Sequence, residues 1–201
     1  MGGTAVYDHG SVALVFHHSG GNLGGWIVPD VPGIPAFNAK FTTMVTGGNG
    51  IAFNFGPGCT SSSFLPTFWH LPCPNGLGLH VQFRLWSSRV MVWLNGALLQ
   101  NTPFTRQYNV DVVGEVTVDA DKLLTVKNDG VEILATNLGD AFTPATGWSY
   151  MLAGANGGSK GSEYLRSMEI VASVAPTSSP TPSPTPASPM PLAPVFFPER
   201  A

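Results

Sequence analysis

The chain has 201 residues and a formal charge of −3, with 9 Lys and Arg against 12 Asp and Glu. No basic cluster is present to neutralise a phosphate backbone, which excludes nucleic acid as a partner. Charged residues reach only 10%, against a usual ~25%, too few for the wet faces of long amphipathic helices, and no run of about 20 apolar residues exists to span a membrane.

In chain order, the opening Met1-Gly-Gly-Thr-Ala-Val-Tyr-Asp8 lacks both the basic start and the apolar core of a secretion signal. Strand signals then recur over Val12–Phe16, Ala36–Val45, Ile51–Phe55, Leu79–Trp86, Val90–Leu94, Val110–Val118, Leu123–Lys127, Val131–Ala135, Trp148–Ala153 and Tyr164–Ala172. Turn chemistry separates them at Asn95-Gly96, at Asn128-Asp-Gly130 and along the Gly-rich run Gly154–Gly161. With Ser87-Ser88 as a two-residue loop, Leu85 faces Val90, Phe83 faces Val92 and Val81 faces Leu94, all on one apolar face. The other face then pairs Gln82 with Trp93, Arg84 with Met91 and Trp86 with Arg89. No helix or internal repeat is predicted, so the fold class is an all-β antiparallel sandwich over residues 1–175. Residues 176–201 are Pro-, Ser- and Thr-rich, cannot bury a core, and read as a disordered linker or stalk with further domains expected beyond it. Both ends have the look of cuts from a longer chain.

Cys59 and Cys73 bracket a loop rich in Pro and Ser. Paired, they close about 15 residues, worth roughly 3 kcal/mol in the chain-entropy model, and point to an oxidising compartment; two free buried thiols are the alternative. His17 and His18 are adjacent on a strand and point to opposite faces, while His9, His70 and His80 have no close-spaced ligand partner, so a structural or solvent role fits all five.

Several segments resemble the concanavalin A-like lectins and glucanases in order along the chain. Phe37-Asn-Ala-Lys-Phe41 and Asn49-Gly-Ile-Ala-Phe53 are similar to the early strand and the acidic-Gly-Leu-Ala-Phe motif of legume-type lectins. Leu79–Trp86 resembles their Val-Glu-Phe-Asp-Thr strand, the Leu-Thr-Val…Asp-Gly-Val pattern recurs within Val116–Thr136, and Trp148–Gly157 and Ser167–Ser173 resemble the closing segments. The resemblance implies a concanavalin A-like jelly roll and a carbohydrate-binding module. It also marks departures. The sugar-bonding aspartate is replaced by Asn49, an amide that still donates and accepts. The metal-anchoring Glu and Asp fall on Gln82 and Arg84. A guanidinium about 4 Å from a divalent cation costs roughly 8 kcal/mol at an effective dielectric near 20, so no metal site and no cofactor are expected. The spaced carboxylates of the glucanases are absent too, and the chain is not expected to be an enzyme.

Two surfaces remain as ligand sites. One is a loop edge of Asn49, Trp69, His70, Asn156 and Gly157. The second is a sheet face with Gln82, Arg84, Trp86 and Trp93, flanked by His80 and Arg89, where aromatic rings and amides suit sugars. In the bland reading, these tryptophans only pack under a neighbouring strand. The expected function is thus a non-catalytic, metal-independent glycan- or polysaccharide-binding module of a secreted or cell-surface protein. A laminin-G-like structural or protein-binding module is the alternative, with an extracellular protein partner, and a diverged glycoside hydrolase is the third.

Overall fold

The computed structural model describes residues 4–7, 14–18, 23–28, 36–47, 50–58, 76–105, 107–145, 147–155 and 161–173. Their strands are β1 Thr4–Tyr7, β2 Leu14–His18, β3 Leu23–Val28, β4 Ala36–Val45, β5 Gly50–Pro57, β6 Leu79–Arg84 and β7 Arg89–Leu94. There follow β8 Ala97–Pro103, β9 Asp111–Val118, β10 Leu123–Asn128, β11 Val131–Asn137, β12 Trp148–Ala155 and β13 Gly161–Ser173. A 3₁₀ turn spans Gly139–Ala141. A seven-stranded sheet runs β1-β13-β4-β9-β10-β11, with β2 also paired to β13; a six-stranded sheet runs β3-β12-β5-β6-β7-β8. Every pairing is antiparallel. The all-β sandwich expected from the sequence is the architecture found.

Period-2 alternation builds the core. Phe37, Ala39 and Phe41 of β4 and Val116 and Val118 of β9 meet Ile51, Phe53 and Phe55 of β5, Val81 and Phe83 of β6, Val90 and Val92 of β7, and Tyr150 and Leu152 of β12. Aromatic rings dominate the centre. Phe55 stacks on Tyr150 with centroids 4.4 Å apart, and Phe37 meets Tyr150 edge-on at 5.2 Å. The Tyr150 hydroxyl is buried with no hydrogen-bond partner among the described residues, and burial raises its pKa, so it stays protonated. An unsatisfied buried hydroxyl costs desolvation without return. Tyr150→Phe is therefore expected to leave stability unchanged or raise it by up to about 1 kcal/mol in urea unfolding. A clear loss would reveal a partner for the hydroxyl.

Two turns expected from the sequence are found as two-residue hairpin loops. Asp129-Gly130 joins β10 to β11, and Asn95-Gly96 joins β7 to β8, with all four residues at positive φ. That is the type I′ geometry that suits twisted strands. Asn95 also accepts a hydrogen bond from Gly78 N at 3.0 Å and donates to Ala141 O at 2.9 Å, so one side chain clasps the hairpin to the start of β6 and to the 3₁₀ turn.

The β6–β7 hairpin corrects the expected register. Its loop is the four-residue Leu85–Ser88, closed by Ser88 N donating to Leu85 O, and Arg84 stands opposite Arg89. Gln82 therefore pairs with Met91 and His80 with Trp93. Ser-Ser does not favour the positive φ that a two-residue hairpin loop demands at both positions; here only Ser88 adopts it. A slip of two residues keeps each side chain on its expected face. Trp86 is thereby moved out of the strand and into the turn. Strands β1, β3 and β8 were not expected from the sequence.

Candidate ligand-binding face

The two sheets turn unlike surfaces outward. On the seven-stranded sheet, one cross-strand row reads Glu169, Lys40, Glu115, Lys127, Glu132, alternating in sign across five strands. Opposite charges side by side hold a solvated face together. Asn38 adds bonds of 2.8 Å to Glu115 Oε1 and Thr117 Oγ1. The six-stranded sheet differs in kind: none of its strands contains an Asp or Glu, and their only Lys or Arg residues are Arg84 and Arg89.

Because Val81, Phe83, Val90 and Val92 face the core, alternation turns His80, Gln82, Arg84, Arg89, Met91 and Trp93 to the far side of that sheet. Its central rows are closed off there. Asn54, His80, Gln82 and Met151 are fully buried, and Met91 nearly so. The Asn54 amide donates to Ala52 O at 3.1 Å and Met151 O at 3.4 Å, which fixes its oxygen toward His80 Nδ1 at 2.8 Å. His80 Nε2 lies 3.2 Å from Gly76 O. Both ring nitrogens thus face acceptors, which favours the imidazolium, but burial without an opposing charge dominates and pushes the pKa down to about 4. His80 is a neutral structural residue, as its isolation in the sequence suggested.

The terminal row of the sheet is more open. It reads Leu23, Ala155, Gly50, Arg84, Arg89, Pro103 across the six strands. Arg84 is half-buried and its Nε donates to Gln82 Oε1 at 3.2 Å; burial lowers its pKa, though a guanidinium stays charged at any ordinary pH. Arg89 is exposed and its terminal nitrogen donates to Asn101 Oδ1 at 3.2 Å and Asn101 O at 3.4 Å. Trp86, in the turn just beyond, is 62% exposed. Trp93 is half-buried, with its indole nitrogen enclosed and unpartnered among the described residues. Of the two tryptophans, only Trp86 offers a broad accessible surface; Trp93 fits the packing role.

Gly50 holds this row together. Its φ is +142°, and a Cβ there would lie 2.1 Å from Phe83 O, so the backbones of β5 and β6 meet where only glycine fits. Gly50 also links distant segments of the chain. It follows Asn49, it pairs with Ala155, which precedes Asn156, and on its other side it pairs with Arg84. Asn49, Trp69, His70, Asn156 and Gly157 themselves lie outside the described residues, as do Cys59 and Cys73.

Two aspartates outside this sheet's strands have structural roles. Asp119 Oδ1 accepts from the backbone N–H of Asp121 and of Leu123, closing the turn before β10, and Asp111 accepts from Arg166 Nε at 3.2 Å.

No family model matches the sequence, and no curated protein does. Solved structures do match, across nearly the whole chain. The Emp46p carbohydrate recognition domain in its potassium-bound form aligns with TM-score 0.66 and 18% identity, covering 87% of this chain and 89% of that one. The VIP36 exoplasmic/lumenal domain with Ca²⁺ and Man3GlcNAc aligns with TM-score 0.66 and 13% identity over 90% and 88%. The lectin UEA-II complexed with galactose gives 0.62 and 16% over 85% and 90%. The fold is that of the concanavalin A-like lectins. Two of these neighbours are cation-bound forms, so the lectin fold itself is compatible with metal. The residues at hand fit one poorly. Calcium takes six to eight oxygens, mostly from carboxylates. The strands of this sheet offer none, and no cluster of three or more His, Cys, Asp or Glu occurs among the described residues.

Proposed function

We propose that this chain is a non-catalytic glycan-binding module that works without a metal ion. The observation that carries the reading is the terminal row of the six-stranded sheet. An exposed indole at Trp86 and two guanidiniums oriented by amides belong to one hairpin, β6–β7, in a lectin fold. An indole face suits the C–H face of a sugar ring, and oriented N–H donors suit its oxygens. Neighbours with this fold bind sugars in their own crystals, VIP36 with Man3GlcNAc and UEA-II with galactose, which supports the same class of ligand here. Asn49, Trp69, His70, Asn156 and Gly157 complete the proposed site, with Gln82 acting through Arg84 and Trp93 supporting from below. In this reading residues 1–175 form the module and 176–201 a linker. A Cys59–Cys73 bridge fits an extracellular or lumenal setting. Among the described residues, no helix is long and apolar enough to cross a membrane.

The test is a glycan array at high module density, followed by titration of the best hit. Trp86→Ala is expected to lower affinity at least about tenfold with an unchanged melting temperature, and EDTA is expected to leave the wild-type titration as it was. A blank array, or loss of binding in EDTA, overturns the reading in its first or second part. The alternative of a laminin-G-like protein-binding module draws on Leu98 and Leu99, exposed on the edge strand β8; it predicts a blank array and a protein captured by crosslinking. A diverged hydrolase needs a carboxylate pair across the site, and the six strands supply no carboxylate.

A further inference from the structure

We propose that the glycan site has a second aromatic ring, Tyr108, and that its ligand is an oligosaccharide long enough to cover Trp86 and Tyr108 together. The inference rests on the glycan-binding reading and sets the length of its ligand. The chain between β8 and β9 grips both ends of the β6–β7 loop that carries Trp86. Phe104 N donates to Ser88 O at 2.9 Å, and the Tyr108 hydroxyl donates to Leu85 O at 3.5 Å. Trp86 lies between those two attachment points, next in sequence to the carbonyl that the Tyr108 hydroxyl meets. A ring exposed singly needs no explanation. Here Trp86 at 62% and Tyr108 at 46% are exposed on segments bonded to each other.

Two further observations agree. Among the described residues, neither ring stacks on another ring or on a cation, whereas the aromatic rings of the core meet one another. The Tyr108 hydroxyl is engaged with the backbone, so what the residue offers a ligand is its ring, the apolar surface that suits the C–H face of a sugar. Both segments are also held before a ligand arrives. On one side of Tyr108, Phe104 is buried and meets Phe83 edge-on at 5.9 Å; on the other, Asn109 N donates to Val45 O at 2.9 Å. Rings fixed in advance lose little freedom on binding. A single sugar can cover one ring only. A chain of sugars, once seated on the first ring, presents its next unit to the second at high effective concentration, so Tyr108 contributes mainly to longer ligands.

The experiment measures affinity against chain length. Calorimetric titrations use mannose, galactose and glucose with their β-1,4-linked di-, tri- and tetrasaccharides, and an array hit outside these series is compared with its own terminal monosaccharide. The expected result is at least one chain binding about tenfold or more tighter than its monosaccharide. Tyr108→Ala should remove that preference without changing the melting temperature, since Phe104 and Asn109 hold the segment on either side. Tyr108→Phe should keep it, because the ring remains. Equal affinity at every length overturns the inference and leaves the glycan reading standing. So does a length preference that survives Tyr108→Ala, or a Tyr108→Ala loss as large for the monosaccharide as for the chain. A module that binds no glycan of any kind overturns both.

Discussion

Gly114→Ala is expected to lower the unfolding free energy by about 2 kcal/mol, and Gly114→Val by about 3 kcal/mol or more. Gly114 lies on β9 opposite Phe41 of β4, and a Cβ there would fall 2.3 Å from Phe41 Cε2 and 2.6 Å from Cζ. Something has to move, and Phe41 has nowhere to go. Phe53 stacks on it at 6.4 Å and Phe83 meets it edge-on at 5.9 Å, with Phe41 itself buried. Interiors this dense turn one added methyl into off-rotamer strain spread over several rings. The check is urea denaturation of the single variants and of Gly114→Ala with Phe41→Leu. The double variant should be clearly more stable than the sum of the two losses predicts, because the smaller side chain vacates the space. Strict additivity, or a neutral Gly114→Ala, contradicts the packing described.

Acidification supplies the second large effect. His80 has an unfolded pKa near 6.5 and a folded pKa pushed down to about 4 by burial. As pH falls, the unfolded chain takes up the proton first, so stability is lost between these two values and fully present above pH ~6.5. The full difference is about 3 kcal/mol. Its register neighbours Asn54 and Trp93 carry no charge to soften the change. The measurement is unfolding free energy from pH 7 to 4.5 for the wild type and His80→Gln. The variant should start less stable, because Asn54 Oδ1 loses its partner, but its pH slope should be shallower over this window. Parallel slopes would mean the imidazole is solvated or already paired when charged.

Much of the sandwich was legible because its residues alternate cleanly. Ala36–Val45 was read to both ends, and Asn128-Asp-Gly130 gave its hairpin. The missed strands lack that signal. Leu23-Gly-Gly-Trp-Ile-Val28 carries two adjacent glycines, and Ala97–Pro103 is a mostly exposed edge strand ending in proline. Bulges were equally silent: between Leu165 and Ser167 one extra residue, Arg166, resets the alternation so that Leu165 and Met168 both face the core. At the site, the sequence named Arg84, Trp86 and Trp93 as one face with Arg89. What it did not contain was the depth of that face. Period-2 geometry says which side a residue points to and nothing about what lies over it, so the burial of Gln82 and His80 was invisible. The pairing of Gly50 with both Ala155 and Arg84 was also hidden, since it brings together distant segments.

The Asn95 clasp has a consequence for how freely this scaffold can change. It fastens one end of β6 and β7, while Arg84 and Arg89 mark the opposite end, roughly 17 Å away along six residues of strand. In the proposed reading, anchorage and recognition are housed at opposite poles of the same hairpin. Residues at the recognition pole can be exchanged, and a new preference acquired, while the fastening that keeps the hairpin in place goes untouched.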